Sequence, residues 1–320
     1  FLSILFICCM NKDKSNYVEP PVAKKNPEKL SIHGDERIDN YYWMRLTDKQ
    51  KEAKNPDKQT KDVLSYLNAE NQYLKYKMKH TEPLQDKLFN EIKNRIKKDD
   101  SSVPVTINNY SYYTRFEKDK EYPFHCRKEL QADAKEDIML DVSKMAKNYD
   151  YFAAVGLSVS PNEKLLIYGV DTVSRREYTL YIKDLDSEKL LDDKISNTTG
   201  KGVWANDNKT FFYTKQDPIT LRSYQIYKHT LGTPQSEDVL VYEENNDTFS
   251  CYVSKSKSKK YIMIGSYQTL SSEYRFIDAN KPHEEFKIVQ KREKNLEYSV
   301  YHYNDYFYIL TNYKAKNFRL

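Results

Sequence analysis

Two kinds of strand-like segment recur together along most of this chain, and this double repeat restricts the possible folds more than any other feature. The unit returns at intervals of about 45 to 55 residues. The first kind covers residues 110–114, 165–169, 210–214, 261–265 and 306–310. The second covers residues 122–125, 178–182, 224–228, 274–278 and 317–320. Such a period, with up to four strands a unit, is typical of the blades of a β-propeller.

The composition and the turns agree with an all-β fold. Aromatic residues make up 14% of the chain, with 29 Tyr, while only 7 Gly are present, a mixture that favours half-buried strands. Turn-forming runs at residues 160–164, 205–209 and 255–259 each precede a segment of the first kind. We therefore predict an incomplete β-propeller over residues 101–320, with four blades and a fifth that stops at Leu320. A β-sandwich has similar turn spacing and is the alternative.

The first hundred residues differ from the rest. Residues 11–60 are polar and contain four prolines, which indicates an extended arm with no compact unit. Thr60 is expected to cap a helix whose apolar face includes Leu64 and Leu74, and Thr81 to open a second helix with Leu84, Leu88, Ile92 and Ile96 at four-residue spacing. Residues 20–100 are thus predicted as an N-terminal arm with two helices.

Residues 1–19 are predicted to be a targeting segment and linker. The apolar run 1–9 breaks abruptly into polar sequence, as at the end of a secretory signal, and is too short to span a bilayer. Cys9 closes the run and is a candidate for lipidation; a cleaved signal or a misassigned start are the alternatives. A bacterial cell envelope or periplasmic location follows, with the cytoplasm as alternative and a lipid anchor as the membrane contact.

Several chemistries are not supported by the sequence. Lys and Arg exceed Asp and Glu by 52 to 47, but the two signs are interleaved, so nucleic acid is not an expected partner. The basic run 255–260 is interpreted as a solvated turn. Cysteine and histidine spacing indicates no metal site, disulfide framework or cofactor. The carboxylate pairs Asp192–Asp193 and Glu243–Glu244 are expected to be solvated, and His229 to be structural.

No nucleophile elbow of the form G-x-S-x-G is present, and no phosphate-binding glycine loop precedes a helix. The chain therefore contains no predicted catalytic residue of its own.

Several short sequence segments resemble those of a known protein family. The run 33–43 (HGDERIDNYYW) resembles the N-terminal signature of oligopeptidase B, the basic-residue-specific branch of the prolyl oligopeptidase family. The similarity continues through 203–207 (VWAND), 218–221 (PITL), 224–229 (YQIYKH), 231–234 (LGTP), 241–244 (VYEE) and 314–320 (KAKNFRL). It departs at Tyr301, where the family usually has Asp, and at residues 48–60, which are longer than the common pattern.

The resemblance implies a two-domain serine peptidase, in which a seven-bladed propeller covers an α/β-hydrolase domain that cleaves short peptides after Arg or Lys. The triad would lie in that C-terminal hydrolase domain, so this chain alone is expected to be inactive. The arm of residues 20–100 would pack on the hydrolase domain. A propeller that binds peptides or proteins without catalysis, and an envelope lipoprotein, are the alternative functions.

The resemblance also yields candidate interdomain residues. Asp150 and the pair Arg175 and Arg176 lie in segments similar to those that face the hydrolase domain, where ion pairs would stabilise a closed form. Arginine suits this role because its planar fork holds a carboxylate in a fixed orientation. The alternative is an exposed or intra-propeller pair that contributes little stability.

Overall fold

A computed structural model describes residues 18–320, and the described chain divides into two compact units between Lys97 and Lys98. The first unit begins with a hairpin of β1 (Glu28–Ile32) and β2 (Asp35–Asp39). It continues with the helices α1 (Asp48–Lys51), α2 (Lys58–Met78) and α3 (Glu82–Arg95). No helix in residues 18–320 has the length and apolar character needed to cross a membrane.

The expectation of an extended, non-compact segment over residues 11–60 is wrong for its described part. His33 and Gly34 both have positive φ, 52° and 84°, which is the backbone of a tight two-residue hairpin turn. The indole of Trp43 donates to the Lys24 carbonyl at 2.7 Å, and Gln59 donates to the Trp43 carbonyl at 2.8 Å. These bonds connect the arm to the start of α2.

The predicted helices form, but Thr60 does not cap α2. The cap is Asp57, whose carboxylate accepts from the Thr60 backbone N–H at 2.7 Å, so Thr60 lies inside the helix and is buried. Thr81 precedes α3 as expected, but it makes no capping bond to a backbone N–H of α3. Its hydroxyl donates back to the Met78 carbonyl at 2.6 Å and accepts from the Gln85 side chain at 2.7 Å.

The second unit is built from antiparallel sheets: two have four strands, one has seven strands and spans two blades through a shared strand, and one has two strands. Blade 1 consists of β3 (Val105–Ile107), β4 (Tyr110–Arg115), β5 (Phe124–Glu129) and β6 (Glu136–Asp141), followed by the short helix α4 (Val142–Ala146). Blade 2 consists of β7 (Ala153–Val159), β8 (Leu165–Asp171), β9 (Tyr178–Asp184) and the first half of β10 (Leu190–Trp204). Blade 3 takes the second half of β10, then β11 (Thr210–Gln216), β12 (Ser223–Thr230) and β13 (Val239–Glu243).

Blade 4 consists of β14 (Ser250–Lys255), β15 (Tyr261–Gln268), β16 (Ser271–Asp278) and β17 (Lys287–Gln290). The pair β18 (Tyr298–Tyr303) and β19 (Tyr306–Thr311) begins a fifth blade. The predicted β-propeller, with four blades and part of a fifth, is confirmed. The strand expected at residues 317–320 is wrong, because that segment makes only a single bridge between Arg319 and Thr311.

The core lies between adjacent blades, which explains why the second strand of blades 2 and 3 is apolar at consecutive positions. In β8, Leu166 and Tyr168 pack toward blade 1 while Ile167 packs toward blade 3. In β11, Phe211 faces the blade 2 cluster and Phe212 the blade 4 cluster. Burial of each such side chain stabilises the fold by about 1.5 to 3 kcal/mol.

The bend of β10, which joins blades 2 and 3, depends on glycine. Gly200 has φ of +85°, and a Cβ on Gly169 would lie 2.5 Å from the Gly200 Cα. The Thr198 hydroxyl donates to the Tyr178 carbonyl and accepts from the Gly200 N–H, which fixes the turn of the strand. The two backbones therefore approach more closely than any side chain would allow.

Candidate functional site at one end of the propeller

Strand directions give the propeller unit two ends with different side chains. At one end lie the loop 147–152, the β8–β9 turn 172–177, the β11–β12 turn 217–222 and the loop 244–249; we call this the Asp150 end. At the other lie the first turns of blades 2, 3 and 4, residues 160–164, 205–209 and 256–260; we call this the Lys255 end.

Asp150, Arg175 and Arg176 lie at the same end of blade 2. Asp150 stands three residues before β7, whose first residue pairs with Asp171 at the end of β8, and the two arginines follow in the next turn. All three side chains are exposed, and none makes an ion pair with another residue in the range 18–320. The structure thus places them on one surface but does not pair them.

The turn that carries the arginines is fixed by a buried carboxylate. Asp171 is 1% exposed and accepts from the backbone N–H groups of Val173 and Arg176, both at 2.8 Å. Gln216 of blade 3 donates to the Arg176 carbonyl at 2.7 Å. The backbone of Arg176 is therefore held by two blades while its guanidinium extends toward solvent.

Two other arginines at this end are already engaged within the propeller. Arg222 donates to the carbonyl of Phe249 at 2.8 Å and to that of Asn246 at 3.2 Å, which ties the β11–β12 turn to the next loop. The Arg292 guanidinium lies 3.9 Å from the centre of the Phe249 ring and is ion-paired with Glu244. These contacts stabilise the junction of blades 3 and 4. Arg222 and Arg292 therefore differ from Arg175 and Arg176, whose side chains are exposed.

Glu244 is the centre of a buried polar cluster, so its predicted solvated position is wrong. It is 3% exposed and bonds Arg292, Ser266, the Tyr242 hydroxyl at 2.7 Å and the Asn246 N–H at 3.0 Å. Burial alone would raise the pKa of Glu244, but the bonds from Arg292, Ser266 and Tyr242 outweigh it and lower the pKa to about 2. The Glu244 carboxylate therefore stays negatively charged at neutral pH.

A second buried charge cluster joins blades 2 and 3. The His229 side chain is fully buried; its Nε2 lies 2.9 Å from Asp193 and its Nδ1 lies 2.5 Å from Asp238. Burial alone would lower the pKa of His229, but the two carboxylates outweigh it and raise the pKa above its usual value. His229 is structural, as expected, whereas Asp193 is buried and not solvated as the sequence indicated.

Sequence reasoning missed both clusters for the same reason. Adjacent carboxylates indicate a hydrophilic turn, yet in each pair one residue points outward and its neighbour points inward, since side chains alternate along a strand and its extension. Asp192 and Glu243 are exposed, whereas Asp193 and Glu244 are buried. No local signal marked the buried member of each pair, because the partner His229 lies 36 residues from Asp193 and Arg292 lies 48 residues from Glu244.

The cysteines of the propeller offer no catalytic site. Cys126 and Cys251 are buried free thiols, and burial raises the pKa of each to about 12, so both stay protonated. Cys9, the candidate for lipidation, lies outside the described residues.

Comparison with known proteins identifies this architecture. Residues 20–320 match the family described as prolyl oligopeptidase, N-terminal beta-propeller domain. The chain is 39% identical over 317 residues to the dipeptidyl aminopeptidase BI of Pseudoxanthomonas mexicana, covering 94% of this chain and 42% of that protein. It is 32% identical over 307 residues to the Protease 2 of Moraxella lacunata, covering 94% and 43%.

Solved structures agree with the sequence relatives. Oligopeptidase B from Leishmania major superposes with a TM-score of 0.81 at 30% identity, covering 93% of this chain and 43% of that one. Oligopeptidase B from Trypanosoma brucei, in a closed form with covalently bound antipain, gives a TM-score of 0.78 at 26% identity, covering 92% and 43%. The chain thus spans less than half the length of these relatives.

Proposed function

We propose a gating role for this chain, which belongs to the prolyl oligopeptidase family as its N-terminal β-propeller domain. In the whole protein, the propeller would cover an α/β-hydrolase domain that supplies a serine nucleophile, and it would admit only short peptides. The hydrolase domain would cleave after Arg or Lys. The resemblance to oligopeptidase B supports this specificity, and the relatives more than twice as long as this chain support the second domain.

The Asp150 end is the proposed contact with the hydrolase domain. Arg175 and Arg176 are exposed on a turn whose backbone is held by Asp171 and Gln216, so their positions are set before any partner binds. Arg222 and Arg292 at the same end already have partners within the propeller. Carboxylates of the hydrolase domain would pair with Arg175 and Arg176, and a basic group there with Asp150, when the domains close.

The N-terminal unit would pack on the same hydrolase domain. Helix α3 has no buried residue, and its apolar side chains Leu84, Leu88, Phe89 and Ile92 are 46% to 63% exposed. An apolar helix face of this size normally requires a covering surface. A hydrolase domain would provide it.

The gating proposal is tested on the whole protein with one Arg–X bond presented in two substrates, a short blocked peptide and a folded protein. The account expects cleavage of the peptide alone. Replacing Arg175 and Arg176 by Ala should lower the peptide rate about twofold to tenfold, the range expected for two surface ion pairs. Lys209→Ala, an exposed cation at the opposite end, is the matched control.

Equal losses in the double variant and in the Lys209 control would refute the role of Arg175 and Arg176. Cleavage of the folded protein as fast as the peptide would refute gating. A whole protein without any peptidase activity would favour the alternative of a non-catalytic binding propeller.

Dipeptide release is a second candidate activity, favoured by the 39% identity to a protein named dipeptidyl aminopeptidase BI. The two activities differ in their need for a free amino terminus. A dipeptidyl amide with a free amine and the same amide with a blocked amine distinguish them: preference for the free amine indicates dipeptide release, and preference for the blocked form indicates internal cleavage after Arg or Lys.

An envelope location is proposed from the apolar run that ends at Cys9. Labelled fatty acid fed to cells should appear on the protein and be absent after Cys9→Ser. A protein that remains unlabelled and stays in the cytoplasmic fraction would exclude both the anchor and the envelope location.

A further inference from the structure

Gly265, in the middle of β15, leaves space on the face of blade 4 that is turned toward the fifth blade. Its two cross-strand neighbours are tyrosines, Tyr252 on β14 and Tyr274 on β16. The Tyr252 ring lies over the glycine, since a Cβ on Gly265 would be 2.6 Å from the Tyr252 Cζ. The hydroxyls of Tyr252 and Tyr274 meet at 3.1 Å. The strand pairing and this contact therefore position both rings.

Two further tyrosines extend the cluster. The ring centre of Tyr267 lies 5.7 Å from that of Tyr252, and the two rings are close to perpendicular at 64°. The ring centre of Tyr298, from the fifth blade, lies 5.4 Å from that of Tyr274. The Tyr298 hydroxyl donates to the Gln290 carbonyl and accepts from the Tyr274 N–H at 2.8 Å, which fixes its orientation.

These four tyrosines line a cavity of about 320 Å³ between blade 4 and the fifth blade, at the Asp150 end. Among residues 18–320, Glu297 is the one charged side chain in the lining, and no lysine, arginine or histidine contributes to it. No ion pair in that range involves Glu297, whose carboxylate accepts a long bond from Asn312 Nδ2 at 3.4 Å. The cavity thus carries a negative charge without a counter-ion.

The rings of the cavity are not used by a cation of the propeller itself. Arg275 follows Tyr274 in sequence, but it points to the other face of blade 4, where its guanidinium lies 4.5 Å from the centre of the Tyr242 ring. No cation of residues 98–320 lies over any of the four tyrosine rings of the cavity. Several tyrosine faces beside a carboxylate are the surroundings that attract an organic cation.

We propose that this cavity binds the cationic side chain of a peptide, the ammonium of a lysine or the guanidinium of an arginine. The charged group would lie among the tyrosine rings with Glu297 as its counter-ion, and the alkyl stem would contact Leu310 and Phe318, which also line the cavity. The binding itself needs no hydrolase domain. Its use, the selection of basic peptides at a point away from the bond that is cut, rests on the proposed gating function.

The test is a ligand-observed NMR titration of the 320-residue chain with the N-acetyl methylamides of lysine, arginine and norleucine. Norleucine has the lysine stem without the ammonium. The lysine or the arginine amide should bind about tenfold more tightly than the norleucine amide, because the neutral stem loses the attraction of the rings and of Glu297. Tetramethylammonium, a cation without a stem, should bind more weakly than the preferred amide.

Variants localise the binding. Tyr252→Leu should weaken the preferred amide about threefold to tenfold, whereas Tyr252→Phe, which keeps a ring, should retain most of the binding. Glu297→Gln should weaken it about threefold to tenfold. Tyr306→Leu and Glu293→Gln replace exposed residues outside the lining and should leave binding unchanged. Thermal unfolding checks that each variant is folded.

The proposal would be overturned if the norleucine amide bound as tightly as the charged amides, if no charged amide bound, or if Tyr306→Leu weakened binding as much as Tyr252→Leu. Tighter binding of tetramethylammonium than of either charged amide would overturn the peptide assignment. A whole protein that cleaves short peptides but binds none of the amides at this cavity would refute the cavity alone. Retained binding without any peptidase activity would refute the proposed function alone.

Discussion

The buried Glu244 should make an acid-sensitive contribution to stability, and Glu244→Gln removes it. The pKa of about 2, against the usual 4.5, corresponds to about 3 kcal/mol. Because the folded pKa is depressed, this contribution is complete above pH 4.5 and is lost as the pH falls toward 2. The variant also leaves the Arg292 guanidinium without its nearest counter-ion, but this is the same interaction seen from the arginine and adds no second loss.

The assay is urea unfolding of the chain at pH 7 and at pH 3. Wild type should exceed Glu244→Gln in free energy of unfolding by about 3 kcal/mol at pH 7 and by about 1 kcal/mol at pH 3. The control is Glu243→Gln, since Glu243 is the adjacent but exposed carboxylate and its replacement should change stability by less than about 0.5 kcal/mol.

Two results would refute this reasoning. Equal losses of unfolding free energy in Glu243→Gln and Glu244→Gln would show that the buried cluster stabilises the fold no more than an exposed carboxylate does. A gap between wild type and Glu244→Gln that stays the same at pH 3 would show that the carboxylate is not responsible for the pH dependence.

Two further perturbations address the junction of blades 2 and 3. His229→Gln should lower the free energy of unfolding in urea by about 3 kcal/mol at pH 6. The difference from wild type should become smaller as the pH rises above the raised pKa of His229, because the wild-type imidazolium then loses its charge. A difference that is larger at pH 9 than at pH 6 would contradict this prediction. Gly169→Ala should lower the free energy of unfolding by about 2 to 3 kcal/mol, because the new Cβ meets the Gly200 backbone. Gly232→Ala is the control: its new Cβ has no atom within 4 Å, but Gly232 has φ of +84°, so the variant should lose about 1 kcal/mol of unfolding free energy. Equal losses in Gly169→Ala and Gly232→Ala would show that the contact with the Gly200 backbone does not destabilise the fold.

The repeat made the blades predictable, because each blade buries the same strands against its neighbours. Segments such as residues 165–169 and 210–214 are apolar at consecutive positions, and the structure shows both faces of β8 and β11 in cores. The turns were predictable because each depends on local hydrogen bonds between residues close together in the sequence.

Features that depend on distant partners were not predictable. Glu244 pairs with Arg292, 48 residues away, and His229 with Asp193, 36 residues away, so no local pattern marks either residue as buried. The N-terminal hairpin was missed because its turn consists of only two residues, His33 and Gly34, within a polar segment that lacks strand periodicity. The cap of α2 was placed at Thr60 because the stronger acceptor, Asp57, precedes the apolar pattern.

Hydrogen exchange of the whole protein, compared with that of this chain alone, tests most directly which end of the propeller meets the proposed hydrolase domain. The account predicts slower exchange in the whole protein at residues 147–152 and 172–177, with residues 160–164 and 205–209 unchanged. Protection of the second pair of segments, or of neither, would contradict it.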